Sequence, residues 1–365
     1  MLDFNKMIIA SDLIKFNKDD LNEIATEMDI ITKQMDKSTL AIQVIDKLKG
    51  ELNKNDNSKI KKIIGENLLA GKTSIKWYDF NLNIDYNTIK ENIIDKSDFQ
   101  ILNEINIPEP SKLSTDPRIF GGYFDDENEE IYLRFIYKSS VKSEFYGLEF
   151  DTRPVPGYCT LYINQKKGLI EYRGENRKAD VSIEQFLNNF TMFSDKNSVR
   201  EKFDFDIDDI AEKLNGEQFD SLSRTEIETV LDSEELEAIT KVLKGLDSYF
   251  KDNSIDELEN SLISVNETLN GTIDDLIMPF SSLLLSGLNT VGLSGDSEIR
   301  NSPLFSYLKP NLIQTSGFIK FNIIENGIEK SYTLRVGLQT RSIYFNTPVS
   351  ESVLKEVREK LLFSE

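Results

Sequence analysis

The chain has 365 residues, a net charge of −20 and an apolar fraction of 39%. That length predicts two or three domains, and that apolar fraction excludes a chain that is disordered throughout. The absence of histidine excludes Ser-His-Asp and Cys-His catalytic groups and most zinc sites. The single cysteine, Cys159, excludes an internal disulfide. Because the N-terminal residues also lack the pattern of a secretory signal, we expect a cytoplasmic protein.

Two amphipathic helices are predicted within residues 17–50. Asn17 has the character of an N-cap before the first helix, and Leu40, Val44 and Leu48 share one face of the second. This order of helix, extended loop and helix resembles the SAP family of DNA-binding modules. The resemblance implies that residues 17–50 contact DNA. The alternative is a helical hairpin that packs on the rest of the protein or on a partner.

A basic segment follows at residues 59–76. It predicts a third helix and then a strand that carries Trp77 and Tyr78. Lysines beside exposed aromatic rings bind phosphates and stack on bases, which makes this segment a candidate nucleic-acid site. The alternative is a solvated lysine face with both rings in the core. The candidate residues are Lys59, Lys61, Lys62, Lys72, Lys76 and Trp77.

Residues 128–190 predict four strands followed by a helix. Around Cys159 the side chains alternate between two faces, so we expect a buried structural thiol there. Basic residues on this unit and on the C-terminal strands suit an anionic ligand, although ordinary solubilisation of a sheet explains them equally well. The candidates for anion binding are Arg173, Arg177, Lys178, Arg335 and Arg341.

Carboxylates on the same strands give one catalytic alternative. Asp151, followed by Glu171 and Arg173, loosely resembles the pattern of the PD-(D/E)xK nucleases, and Glu149 lies on the same face as Asp151. The resemblance implies a Mg²⁺ site at these three carboxylates. Arg173 stands where that pattern has lysine, and an arginine does not deprotonate at working pH. A degenerate site is therefore the expected form of this alternative.

The charge is concentrated in one block. Residues 195–275 hold 23 acidic and 8 basic residues, which is −15 of the total, and they read as wholly helical. Ser223 and Ser254 each have a glutamate three residues later, which predicts two helix starts.

The apolar residues 276–293 predict a buried, turn-rich segment rather than a membrane span. The C-terminal residues repeat the pattern of strands and helix seen at 128–190, which suggests an internal duplication.

These patterns predict an α+β fold with a helical N-terminal module, mixed antiparallel sheet units with helices, and an acidic helical insert. The predicted boundaries are 1–110, 111–194, 195–275 and 276–365. The favoured function is a non-enzymatic, intracellular binding protein that contacts nucleic acid or a nucleic-acid-processing complex, with no cofactor and no membrane contact. One alternative is a protein–protein assembly subunit, which is a homo-oligomer or binds a protein partner. The other is the degenerate Mg²⁺ nuclease, so enzymatic activity stays an open question.

Overall fold

The chain forms an α+β fold, as predicted, with many helices and an antiparallel sheet. Contacts divide it into two compact units, Met1–Gly216 with Lys320–Glu365, and Glu217–Ile319. The boundaries at 216 and 319 differ from those expected from the sequence. No helix among the described residues is both long and apolar enough to cross a membrane. The computed structural model describes residues 7–32, 35–51, 58–80, 85–102, 104–147, 149–190, 199–225, 233–252, 254–269, 285, 288–325 and 327–364.

Four helices among the described residues precede the first strand of the first unit. The second begins after Asn17, whose side chain accepts a hydrogen bond from the Asp20 amide, so the predicted N-cap is confirmed. The predicted apolar face of the third helix is also confirmed, because Leu40, Val44 and Leu48 are buried. The four helices are α1 (Ala10–Leu13), α2 (Lys18–Glu27), α3 (Lys37–Glu51) and α4 (Ser58–Asn67).

An antiparallel sheet forms the centre of the first unit. Its strands are β1 (Ser74–Phe80), β2 (Arg118–Asp125), β3 (Glu130–Tyr146), β4 (Glu149–Asn164), β5 (Leu169–Arg173), β6 (Val199–Glu201), residues 320–325 of a strand that starts in the second unit, and two later strands, Ile328–Gly337 and Ser342–Phe345. The further helices of this unit are α5 (Tyr86–Lys96), α6 (Ala179–Phe190), α7 (Ile207–Lys213) and a C-terminal helix, Glu351–Leu362.

The region that predicted four strands forms three. β3 is 17 residues long and pairs with the 16-residue β4 from Glu130 opposite Asn164 to Tyr146 opposite Glu149. The predicted second strand is split by a turn at Gly147, which has a φ of +62°, a value typical of two-residue hairpin turns. Because the charged residues before this turn continue β3, the prediction of a separate second strand is wrong.

Among its described residues, the second unit contains two strands, the first part of a third, two long helices from the acidic block and a short helix after them. The prediction that residues 195–275 are wholly helical is wrong, because β6 and the strand at 217–225 lie within them. Ser221 and Ser223 are buried on one side of that strand. Apolar residues at these positions would have indicated a strand, but small polar residues occupy them. Ser223 therefore does not start a helix. The elements are β7 (Glu217–Thr225), α8 (Ser233–Asp252), α9 (Ile255–Leu269), β8 (Thr290–Ser294), α10 (Pro303–Leu308) and β9 (Leu312–Glu325), which crosses the division at 319.

Most of the apolar segment at 276–293 lies outside the described residues. The helix start predicted at Ser254 is confirmed, because α9 begins at the next residue.

The first unit has an order of strands that fits the duplication hypothesis. β10 (Ile328–Gly337), β11 (Ser342–Phe345) and α11 (Glu351–Leu362) follow residues 320–325 of β9, and β3, β4, β5 and α6 have the same succession of three strands and a helix. Part of the sheet runs β3-β4-β5-β1-β11-β10-β9, so β1 lies between β3, β4 and β5 on one side and β11, β10 and β9 on the other. The duplication itself stays a prediction.

Helices cover both faces of this sheet. Ile183 and Phe186 of α6 pack with Ile170 of β5 in a cluster on one face. Glu171, the next residue of β5, points to the other face and meets Arg358 of α11. Side chains alternate along a strand, so the two helices lie on opposite faces of the sheet. This arrangement buries the charged residues of β5 beneath α11.

Candidate functional site

The basic residues of the N-terminal segment do not form one exposed surface. Lys59 forms ion pairs with Glu23 and Glu27, at 3.0 and 2.7 Å from Nζ to Oε1. Lys62 and Lys72 are exposed, and Lys61 is half-buried. Trp77 is only 1% exposed and donates a hydrogen bond from Nε1 to the Glu171 carboxylate. Its ring therefore has no free face on which a base could stack.

Two of the candidate cations are paired with the same carboxylate, that of Glu201. Lys76 and Arg341 both form ion pairs with Glu201, at 2.9 and 3.4 Å. Glu201 belongs to β6, the short strand that pairs with β1. A cation that is already paired with a carboxylate contributes less to binding a phosphate, because the ligand must compete with the existing partner.

The remaining candidate cations are distributed over several environments. Arg177 forms an ion pair with Glu175 at 2.7 Å. Lys178 donates a hydrogen bond to the Thr115 carbonyl and lies 5.3 Å from the centre of the Tyr137 ring. Arg335 is exposed on β10. Arg173 is buried, so the structure brings no continuous basic surface together from these residues.

Arg173 belongs to a buried ionic network with Glu171 at its centre. Glu171 is fully buried and accepts hydrogen bonds from Arg173 Nε at 2.7 Å and from Arg358 Nη1 at 3.1 Å. Arg173 also binds both oxygens of Glu351, at 2.5 and 2.7 Å. Two arginines thus balance two carboxylates. The Tyr162 ring lies 4.3 Å from the Arg358 guanidinium carbon.

The surroundings of Glu171 hold it in the charged state. Burial alone would raise the pKa of this carboxyl group, but Arg358, Arg173 and the Trp77 hydrogen bond outweigh burial and lower the pKa to about 2. Glu171 accepts hydrogen bonds from Trp77, Arg173 and Arg358, so its known partners are protein groups. We interpret the network as a structural connection between β5 and α11.

The three carboxylates of the nuclease alternative do not come together. Glu171 lies opposite Tyr162 of β4, and Asp151 lies eleven residues further along the same strand. At about 3.3 Å per residue, the separation is roughly 35 Å. Glu149 and Asp151 are exposed, and the Asp151 carboxylate is paired with Arg153. No group of three potential metal ligands occurs within the described residues.

The exposed carboxylates instead belong to a two-stranded arm, which we define as residues 139–146 of β3 and 149–156 of β4. On one side β2 pairs with β3 only as far as Ile136, and on the other side β5 pairs with β4 only as far as Thr160. Beyond these points the two strands are paired only with each other within the described part of the chain. Eight residues of strand make the arm about 25 Å long.

One face of the arm is apolar. The register places Val141 opposite Pro154, Ser143 opposite Thr152, and Phe145 opposite Phe150. Phe145 is 77% exposed and Phe150 is 60% exposed, and their ring centres are 5.0 Å apart. Val141 is also exposed, at 52%. Because opposite residues and alternate positions share one face, these side chains form one solvent-exposed strip that is apolar except for Ser143 and Thr152.

The other face of the arm is charged. Lys142 lies opposite Arg153, and Glu144 lies opposite Asp151. Within each strand the base and the acid are joined, because Lys142 Nζ lies 2.7 Å from Glu144 Oε1 and Arg153 Nε lies 2.7 Å from Asp151 Oδ2. The arm is therefore an amphipathic ribbon. Its strands alternate between apolar and charged residues, but the sequence predicts a single strand running through Gly147, so the arm is not among the predicted elements.

Cys159 is buried and unpaired, which confirms the predicted structural thiol. Burial raises its pKa to about 11, so the reactive thiolate is scarce at neutral pH.

Comparison of the chain with protein-family models, curated proteins and solved structures finds no match. The geometry of the described residues therefore carries the functional argument.

Proposed function

We propose that the chain is a protein-binding assembly protein and that the apolar face of the arm is its docking surface. The observation that carries the proposal is the pair Phe145 and Phe150, two large aromatic side chains that contact each other and remain largely exposed. Aromatic residues contribute much of the binding free energy at protein interfaces, and contiguous exposed apolar surface commonly marks such a site.

The isolated ribbon supports the same proposal. A two-stranded hairpin has little stability of its own in water, because each strand has only one neighbour and no core beneath it. A partner that covers the apolar face removes the two rings from water and stabilises the extended conformation. Burial of each ring contributes about 1.5–3 kcal/mol.

The charge of the arm favours a protein over a nucleic acid as its partner. It carries two cations, Lys142 and Arg153, and three carboxylates, Glu144, Glu149 and Asp151. A phosphate backbone is bound by an excess of cations, which this surface lacks. We therefore expect a protein partner with an apolar surface that accepts both rings.

Affinity capture from a lysate of the source cells tests this proposal. The immobilised chain is compared with a Phe145→Ser/Phe150→Ser variant and with Phe250→Ser as the matched control. Phe250 is 80% exposed on α8, so its loss changes surface hydrophobicity without touching the arm. We expect proteins that the wild-type chain and the control retain to fall at least tenfold with the double variant, since 1.4 kcal/mol is tenfold in affinity. Equal retention by all three chains would contradict the proposal.

The SAP resemblance and a nucleic-acid contact stay predictions. The exposed Lys62 and Lys72 support them, whereas the buried Trp77 and Arg173 do not. Electrophoretic-shift measurements at two salt concentrations test this function. Binding that weakens steeply with salt and is lost in a Lys62→Glu/Lys72→Glu variant would favour nucleic acid over a protein partner.

A further inference from the structure

Along the arm, β3 has an open outer edge, which is the edge that faces away from β4. Within the described residues, no strand pairs with that edge beyond the position of Ile136. An open edge presents unpaired amide and carbonyl groups, which pair readily with another strand. β4 has Pro154 and Pro156 along its own part of the arm, and proline has no amide hydrogen to donate. The edge at residues 139–146 contains no proline, so β3 is the edge suited to pairing.

The charges of the arm are arranged in two bands. Lys142 and Arg153 lie side by side across the ribbon and form a basic band. Glu144 and Asp151 lie side by side two residues nearer the turn and form an acidic band. Like charges directly opposite each other destabilise a strand pair, so the lateral arrangement is unfavourable for an arm that stands alone.

We propose that two copies of the chain pair antiparallel through the outer edges of β3, about a two-fold axis at Ser143. This register places Lys142 opposite the partner's Glu144 and Glu144 opposite the partner's Lys142. The basic band of each arm thus continues into the acidic band of the other, and a four-stranded ribbon results. A two-fold interface requires such a self-complementary surface.

The apolar residues agree with the same register. Val141 comes opposite the partner's Phe145, and Phe145 comes opposite the partner's Val141. Pairs of an aromatic and a β-branched residue are among the favourable cross-strand pairs. The apolar strips of the two arms then lie side by side on one face. Pairing uses the edge of β3 rather than this face, so the inference is independent of the proposed docking of another protein.

The net charge of −20 on each copy opposes association at low salt. At physiological ionic strength charges further apart than about 8 Å are largely screened, whereas pairs in contact across the strands are screened less. Sedimentation velocity of the full chain at that ionic strength is therefore the appropriate measurement. We expect a reversible dimer.

Charge reversal at the axis gives a specific test. Lys142→Glu places glutamate opposite glutamate at two symmetric positions, and Glu144→Lys places lysine opposite lysine. Each variant alone should associate at least tenfold more weakly than the wild-type chain. A mixture of the two variants should dimerise, because every lysine then faces a glutamate. Lys142→Glu/Glu144→Lys should also dimerise.

Cross-linking tests the register. Opposite residues in antiparallel strands have Cα atoms about 4.5–5.5 Å apart, which a disulfide can bridge. Ser143→Cys should therefore form a disulfide-linked dimer on mild oxidation. Thr152→Cys is the matched control, because two positions 152 would be three strand spacings apart, roughly 14 Å. The buried Cys159 is the only native thiol and gives little background.

A wild-type chain that is monomeric up to high micromolar concentration would overturn the proposal. So would a dimer that persists undiminished in both single charge variants, or one in which Thr152→Cys cross-links as readily as Ser143→Cys. Association restored by mixing the two variants, together with selective cross-linking at Ser143, would establish it.

Discussion

At the scale of single residues, Glu171 lies at the centre of the buried ionic network. It is a fully buried carboxylate with hydrogen bonds from Trp77, Arg173 and Arg358. Glu171→Gln removes the charge that both guanidinium groups face. Loss of one partner of a buried ion pair costs about 3–5 kcal/mol, because the remaining charge stays buried without compensation.

We therefore expect Glu171→Gln to lower the free energy of unfolding by that amount in urea denaturation. Glu359→Gln serves as the control. Its ion pair with Lys167 is more than a third exposed, and such a pair contributes less than about 1 kcal/mol. Similar losses in the two variants would show that the network does not stabilise the fold.

The same residue predicts a pH dependence. The pKa of Glu171 is lowered from 4.5 to about 2 in the folded protein, so its ionisation stabilises the fold fully above about pH 4.5. That contribution is lost as the pH falls towards 2. The difference in unfolding free energy between the wild-type chain and Glu171→Gln should thus be constant near neutral pH and shrink below pH 4.5. A difference that stays constant down to pH 3 would contradict the assignment.

At the scale of secondary-structure elements, the base of the arm depends on a close contact at Gly157. A Cβ atom at Gly157 would lie 2.5 Å from the Tyr137 ring, the side chain opposite it on β3. The ring cannot move freely, because Tyr137 donates a hydrogen bond to Glu175 at 3.1 Å. This contact lies at the base of the arm.

Gly157→Ala should therefore destabilise the first unit by about 1–3 kcal/mol, the usual cost of an overpacked site. Gly292→Ala in β8 is a matched control, because the nearest atom to its added Cβ is Leu222 Cδ1 at 4.0 Å. The midpoint of urea unfolding measures both variants. Equal midpoints for the two alanine variants would mean that the Tyr137 ring is not held in place.

The sequence predicted elements well where a local signal determines them. Asn17 caps its helix through a contact three residues away, and the apolar face of α3 repeats at helical spacing. β7 was missed because Ser221 and Ser223 fill buried positions through a mutual hydroxyl contact. No local pattern distinguishes such a strand from a polar helix start.

The arm was missed for a different reason. Its alternating residues are typical of a strand with one buried face, yet no element covers that face within the described part of the chain. Sequence pattern gives the period of a strand but not the point at which its neighbours end. Likewise, the sequence shows that Arg173 is positively charged but does not show whether that charge is exposed or buried between two carboxylates. Only long-range contacts distinguish these cases.

At the scale of the whole molecule, the net charge is spread unevenly along the chain. The acidic block at 195–275 contributes most of the net charge, whereas the arm of the first unit is close to neutral. Net charge of one sign keeps a protein soluble and limits non-specific association. We therefore propose the nearly neutral arm as the surface for selective contact with a protein.

Site-specific photo-crosslinking in the source cells tests this central claim most directly. A photoreactive phenylalanine analogue replaces Phe145 in one chain and Phe250 in another, so both carry the probe at a highly exposed position. The account predicts a discrete protein adduct at position 145, either a second copy of the chain or another protein, that is absent at position 250. Adducts that are identical at the two positions, or no protein adduct at position 145, would contradict it.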